Sequence, residues 1–221
     1  MINIAIDGPA GAGKSTIAKA VAKELDYIYV DTGAMYRAIA YYLLTNDIDV
    51  EDVDALTKVL AGVSVTIRYE DNAQQVYLNG ENVTCHLRTE AVGNMASVSS
   101  AKPQVRAALL ELQRTLAREN NVVMDGRDIG TNVLPNAQVK IYLTASSAER
   151  ARRRYTELIQ KGEQADIARI EKDIIERDNR DMNREIAPLK QAEDAVYIDS
   201  SDMQIDEVTE AIKKLVLKEN V

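Results

Sequence analysis

Apolar residues along this chain recur in two spacings that take turns. Short, mainly apolar runs at residues 2–7, 27–30, 122–124, 139–143 and 196–198 read as buried strands. Between them the spacing lengthens to that of helices. Ile17, Val21 and Leu25 form one stripe, and Met35, Ile39 and Leu43 a second. Val105, Leu109, Leu112 and Leu116 form a third, and Ile205, Val208, Ile212 and Leu215 a fourth. A shorter helix is expected at 52–60. Buried strands alternating with helices predict an α/β fold, a five-stranded parallel sheet covered on both faces.

One region breaks this rhythm. Val63, Val65, Ile67 and Tyr69 alternate with polar residues, as do Val76 and Leu78, and Asn79-Gly80 is a tight-turn pair. A small antiparallel ribbon is therefore expected within the alternating chain. Pro103 sits where the first residue of a helix tolerates proline, and Ser146 with Glu149 has the spacing of a capping box. No repeat or low-complexity linker appears. The expected organisation is one domain over 1–221, with an insert at 62–102 and a helical lid at 150–166.

Composition narrows the function. Trp and Phe are absent, so an aliphatic core with tyrosine at its margins is expected. A net charge of −8 opposes a general nucleic-acid or anionic-membrane binder, which needs a basic surface. Arginines nevertheless concentrate between 150 and 184, which suits a compact polyanion such as clustered phosphates. The single cysteine, Cys85, excludes an internal disulfide framework and fits a reducing cytoplasm. The N-terminus has no basic region before an apolar run, so no signal peptide is expected. No apolar run approaches the ~18 residues of a membrane span. Nothing demands a second subunit, so a monomer is expected.

The strongest chemical signal is Gly8-Pro9-Ala10-Gly11-Ala12-Gly13-Lys14-Ser15-Thr16, which fits G-x-x-x-x-G-K-[ST] between a strand and a helix. Glycines let the backbone curl so that its N–H groups face phosphate oxygens. The helix that follows adds its free N–H groups and the positive end of its dipole. Lys14 then reaches the outer phosphates, and the Ser15 hydroxyl can ligate Mg²⁺.

Two more polar groups follow strand ends, where ligands bind in such sheets. They are Asp31-Thr32-Gly33 and Asp125-Gly126-Arg127-Asp128. Asp125 reads either as an acid that holds Mg²⁺ or as a strand-end cap. Arg37 and Arg127 read either as a fork for a second phosphate or as surface ion-pair partners.

Further on, Ile167, Ile170 and Ile174 form a stripe that continues as Arg177, Asp181 and Arg184. Burying unpaired charge costs several kcal/mol. Either an anionic ligand or open cleft meets this face, or the helix ends near Arg180. Arg150, Arg152, Arg153 and Arg154 read as a lid that closes over phosphates, or as a solvated basic face. Cys85 and His86 have no partners at ligand spacing, so neither a metal site nor a Cys-His nucleophile is expected.

Nearly the whole chain resembles the bacterial cytidylate kinases, within the P-loop nucleoside monophosphate kinases. Besides the P-loop, the likeness rests on Asp31-Thr32-Gly33-Ala34-Met35-Tyr36-Arg37 and Asp125-Gly126-Arg127-Asp128. It rests also on Glu176-Arg177-Asp178-Asn179-Arg180-Asp181-Met182-Asn183-Arg184 with Ala187-Pro188-Leu189. The resemblance implies a P-loop NTPase-type three-layer fold and transfer of a phosphoryl group from ATP to CMP and dCMP, with Mg²⁺.

By the same resemblance Arg37, Arg127 and Arg184 grip the acceptor's phosphate, and Arg177 and Asp181 hold its ribose. Ser97, Arg106 and Asp128 read cytosine. A carboxylate opposite the base's amine and Arg and Ser donors opposite its acceptors form a matched set. Uracil would mispair there, and such sites discriminate by ~10⁴. Thr32 stands where some members carry Ser; the hydroxyl is kept. The expected catalytic charges are Lys14, Arg127, Arg150 and Arg154, with the metal on Ser15 and Asp125. A P-loop kinase with another nucleotide or a small metabolite as acceptor is the alternative. A GTP switch is disfavoured, because N-K-x-D and D-x-x-G are absent.

Overall fold

The computed structural model describes residues 1–70 and 73–219. In chain order the elements are β1 (Asn3–Asp7), α1 (Lys14–Leu25), β2 (Ile28–Asp31), α2 (Thr32–Thr45), α3 (Val53–Leu60), β3 (Val65–Glu70), β4 (Ala73–Leu78) and β5 (Glu81–Asn82). Then come α4 (Glu90–Ser99), α5 (Pro103–Glu119), β6 (Val122–Gly126), β7 (Val139–Thr144), α6 (Ser147–Gln160), α7 (Ile167–Asn183), β8 (Val196–Asp199) and α8 (Ile205–Glu219). They form two compact units, Met1–Tyr29 with Asn121–Val221, and Val30–Asn120.

The first unit is built on a five-stranded sheet of order β2-β6-β1-β7-β8. Strands β6, β1, β7 and β8 pair in parallel. Ile4 and Ile6 on the central strand are fully buried with Val123, Ile141 and Leu143. The apolar stripes of α1 (Ile17, Val21) and α8 (Val208, Ile212, Val216) close over them. Each such side chain stabilises the fold by roughly 1.5–3 kcal/mol. The register sets Asp7 level with Gly126 and Tyr142, so β1 and β6 end together while β7 runs on to Thr144. Gly8 follows at once with φ 151°, where a Cβ would lie 1.9 Å from the Leu143 carbonyl oxygen. Only glycine fits there, and the chain can then turn into its loop.

The second unit holds the antiparallel ribbon β3-β4-β5. Asn79 and Gly80 take φ 50° and 87°, the left-handed pair of a tight hairpin. Val76, Leu78, Val83 and Leu87 pack with Ala34 and Ala38 of α2. Asp31 caps α2 by accepting from Ala34 N–H. The Gln74 side chain accepts from Asp31 N–H and donates to its carbonyl, so it acts as a strand partner. Helix α5 starts on Pro103 as expected. Helix α4 was not legible in the pattern. Its stripe is narrow and made of small residues, Val92 and Ala96 against Ala40, and Gly93 weakens its propensity. Thr89 caps it, and packing on α2 holds it. No helix among the described residues is long and apolar enough to cross a membrane.

Candidate active site

The loop after β1 curls through three left-handed or extended glycines, Gly8, Gly11 and Gly13, the last with φ 85° just before α1 begins at Lys14. Lys14 is 6% exposed and donates Nζ to the Pro9 carbonyl at 2.7 Å. Burial pushes its pKa well below the usual lysine range. The charge of Arg127 adds to that, while Asp125 and Asp7 oppose it. An anion against Lys14 would relieve this penalty.

Beside Lys14, Ser15 donates its hydroxyl to Asp125 Oδ2 at 2.8 Å, and Tyr29 donates to Oδ1 at 3.0 Å. Asp125 is thus oriented from both sides next to the cradle. This pair of hard oxygens fits Mg²⁺, a cation that takes few protein ligands and leaves the rest to phosphates and water. No group of three acidic, His or Cys side chains suited to a metal occurs among the described residues, so an all-protein cage is not offered.

Helix α7 does not stop at Arg180; it runs to Asn183, with Arg184 as its cap. Its inward charges are met by counter-charges from other elements. Arg127 Nε donates to Asp181 Oδ2 at 2.9 Å, and Arg150 Nη1 to Asp178 Oδ2 at 2.6 Å. Arg184 Nη2 lies 3.2 Å from Asp128 Oδ1, and Arg184 Nε bonds the Ala187 carbonyl. Three arginines read as phosphate or lid groups thus already hold carboxylates.

Arg150 and Arg154 differ sharply in their settings. Arg150 is 6% exposed and bonds the Ala145 and Ala10 carbonyls besides Asp178. Arg154 is exposed and paired with Glu157. Ser146 caps α6 as expected, yet Glu149 does not complete a capping box. It receives Arg152 and Arg153 instead, and Ser146 N–H goes to Ser201 Oγ. Arg153 also donates to the Ser200 carbonyl at 2.7 Å. It lines a cavity of about 620 Å³ with Gly13, Thr16, Ser200, Gln204 and Ile205.

Asp7, the last residue of the first apolar run, anchors the next turn. It accepts from Ile129 and Gly130 N–H at 2.8 and 2.7 Å. Burial raises its pKa to about 6 in spite of those two bonds. The turn at 129–133 is widened to i→i+5 spacing, with Val133 N–H on the Asp128 carbonyl and Leu134 N–H on that of Ile129. Asn132 donates to Asp128 Oδ2 at 3.1 Å. The result is a fixed mount for a buried Asp128. Arg177 lies close enough for its charge to act on Lys14.

The second unit carries the other expected residues. Thr32 opens α2, buried. Arg37 folds back over Gly33, where a Cβ would stand 3.2 Å from its Nη1 and 3.1 Å from Asp31 Oδ1. Arg106 donates to the Ser100 carbonyl and lies 5.6 Å from the Tyr36 ring centroid. The Ser97 hydroxyl is buried with no protein partner among the described residues. His86 stacks on Tyr41, and Cys85 is exposed.

Comparison with known proteins follows the same lines. A family model described as cytidylate kinase matches residues 4–218. A cytidylate kinase of Exiguobacterium sp. is 49% identical over 215 residues, covering 97% of this chain and 96% of that protein. One of Geobacillus sp. matches at the same identity and coverage. An uncharacterized protein from Eubacterium ventriosum, of known crystal structure, shares the fold at a TM-score of 0.52 and 14% identity. That match covers 98% of both chains.

Proposed function

Because the chain belongs to the cytidylate kinase family, we propose that it works as an ATP-dependent kinase that converts CMP and dCMP to their diphosphates by in-line transfer. The observation that carries the donor half is the glycine cradle with Lys14 buried in it, a cation whose charged form is costly until phosphate arrives. Phosphoryl transfer asks little covalent work of a protein. It asks for alignment and for positive charge over the transferring oxygens.

Gly8, Pro9, Ala10, Gly11, Ala12, Gly13, Lys14, Ser15 and Thr16 hold the donor's phosphates. The cavity bounded by Gly13, Thr16 and Arg153 receives its nucleoside. Ser15 and Asp125 would hold Mg²⁺, which when bound neutralises charge on the phosphates. The acceptor's phosphate falls to Arg37, Arg127 and Arg184, and its ribose to Arg177 and Asp181, with Thr32 beside it. Its base falls to Ser97, Arg106 and Asp128.

Two of these arginines, Arg127 and Arg184, must trade a carboxylate for phosphate. Lys14 and Arg127 supply charge to the transfer, with Arg154 as an exposed lid cation that would have to leave Glu157. Arg150 can join only by leaving Asp178 and Ala10. The acceptor is a phosphate monoester with a second pKa of ~6, already ionised near neutrality, so no general base is needed. A coupled ADP-release assay over a panel of monophosphates tests the assignment. CMP and dCMP should lead the panel; faster use of UMP or AMP sinks the base reading.

A further inference from the structure

The shape of the phosphate cradle is held from outside it. Both backbone polar groups of Ala10 in the P-loop are engaged by charged side chains. Its N–H donates to Asp178 Oδ1 at 3.1 Å, and its carbonyl accepts Arg150 Nη1 at 2.8 Å. The same Nη1 donates to Asp178 Oδ2 at 2.6 Å, closing a ring of three groups. Arg150 Nε is fixed on the Ala145 carbonyl, so the guanidinium is anchored at the start of α6. A Cβ on Gly11 would rest 3.4 Å from Arg150 Cβ, so the loop packs directly on this residue. Asp178 and Arg150 are each 6% exposed. A buried charge pair is no large source of stability by itself, because desolvation offsets its attraction. Something other than stability accounts for placing one here.

We propose that Asp178 is a positioning residue for the donor site: through Ala10 and Arg150 it fixes the curvature of the P-loop that cradles the donor's phosphates. Asp178 holds the loop through its bond from Ala10 N–H, while Lys14 Nζ is held by the Pro9 carbonyl. It acts on one peptide at the loop's first bend and ties that bend to α6 and α7, so the helices and the cradle move as one piece. Loosening that peptide misaligns the amides that follow, and small displacements of such groups cost up to ~10²-fold. This rests on the reading of residues 8–16 as the donor site.

The test is a kinetic comparison of Asp178→Ala and Asp178→Asn with the parent enzyme. Three quantities are measured: KM for ATP at saturating CMP, KM for CMP at saturating ATP, and Ki of inorganic tripolyphosphate against ATP. Asp178→Ala should raise the ATP KM and the tripolyphosphate Ki by one common factor, about 10- to 100-fold. The CMP KM should stay within about threefold. Asp178→Asn keeps an oxygen for Ala10 N–H and should fall between. Tripolyphosphate carries no nucleoside, so the common factor places the loss at the phosphates.

An unchanged ATP KM in folded Asp178→Ala overturns the inference, as do unequal shifts for ATP and tripolyphosphate, or an equal shift for CMP. If Asp178→Ala melts below the assay temperature, the double variant Arg150→Met with Asp178→Leu replaces the pair by apolar groups. It lacks both holds on Ala10 and should show the same common factor. Lys14→Met separates the two readings. If it leaves ATP use intact, the donor-site reading has failed. If it abolishes transfer while Asp178→Ala changes nothing, the positioning role alone has failed.

Discussion

In the first unit, every buried carboxylate around the cradle already has a partner. Asp7 holds two backbone amides, Asp125 two hydroxyls, Asp128 an amide and an arginine, and Asp178 and Asp181 an arginine each. In the second unit, the hydroxyls of Ser97 and Ser99 and both ends of the Gln113 amide are buried with no protein partner among the described residues. Buried polar atoms without partners cost ~1–3 kcal/mol each, so the contrast is energetic as well as geometric. The carboxylates around the cradle are thus already satisfied, and Asp181 and Asp128 would have to release their arginines to an arriving phosphate. That exchange limits affinity and confers selectivity for ligands that replace the lost bonds well. A ligand that reached such atoms in the second unit would gain hydrogen bonds without breaking others. Ser97, assigned to the base, sits on that side of the contrast.

The sharpest way to break this comparison is at the cradle's buried cation. Lys14→Met removes the buried ammonium and the reason for the cradle's charge. The rate of transfer should fall by about 10³-fold, the scale on which single charge-stabilising donors act. Rapid-quench measurement of diphosphate formation checks this, with circular dichroism to confirm the fold. A loss under about tenfold would mean that Lys14 only packs the loop.

Asp128→Ala strikes a partnered carboxylate and should cost twice. It removes the carboxylate beside the buried side chain of Arg184, which also donates to the Ala187 carbonyl. Unfolding in urea should show a loss of about 3 kcal/mol. In the same variant the preference for CMP over UMP in kcat/KM should collapse by about 10² or more. Loss of stability with discrimination intact would confine Asp128 to a structural pair.

Asp7 gives a smaller effect with a defined sign. Its carboxyl is raised to about 6 in the folded protein, chiefly by burial, against ~3.9 in an unfolded chain. Between those values the folded state binds more protons, so ionisation of Asp7 lowers stability as pH rises through that window. In Asp7→Asn this term is gone. The stability of the parent relative to the variant should fall as pH goes from 4 to above 6, by on the order of 2–3 kcal/mol. Urea titrations followed by tyrosine fluorescence read it directly, since the chain has no Trp. A difference that stays flat across that range would refute the assignment.

The same contrast marks where sequence reading works. The P-loop was legible because its demands are local: glycine conformations, a lysine, a hydroxyl and a following helix. The parallel strands were legible because two-sided burial writes unbroken apolar runs. Asp178 was not, although it stood in a quoted motif, because its meaning depends on Ala10, 168 residues away in the chain. Arg150 and Arg154 look alike four residues apart, yet one is buried on a carboxylate and the other lies in solvent. Asp7 ends an apolar run with no local sign of the turn at 129–133 that it anchors. Helix α4 was hidden by its small residues. What a residue pairs with across the fold leaves no periodic trace.

The smallest expected effect is the most diagnostic, because its sign differs from all the others. Ser97→Ala removes a buried hydroxyl that has no protein partner. Without ligand, the variant should be as stable as the parent or more stable by up to about 1 kcal/mol, since an uncompensated polar atom has gone. With CMP present, the hydroxyl's bond to the base is missing, and the CMP KM should rise about tenfold at unchanged ATP KM. Thermal melts with and without CMP measure both halves: the variant's advantage should vanish or reverse as CMP saturates. If Ser97→Ala is instead destabilised without ligand, its hydroxyl has a structural partner and the contrast fails. If melts and KM match the parent throughout, Ser97 takes no part in reading the base, and that work falls to Arg106 and Asp128.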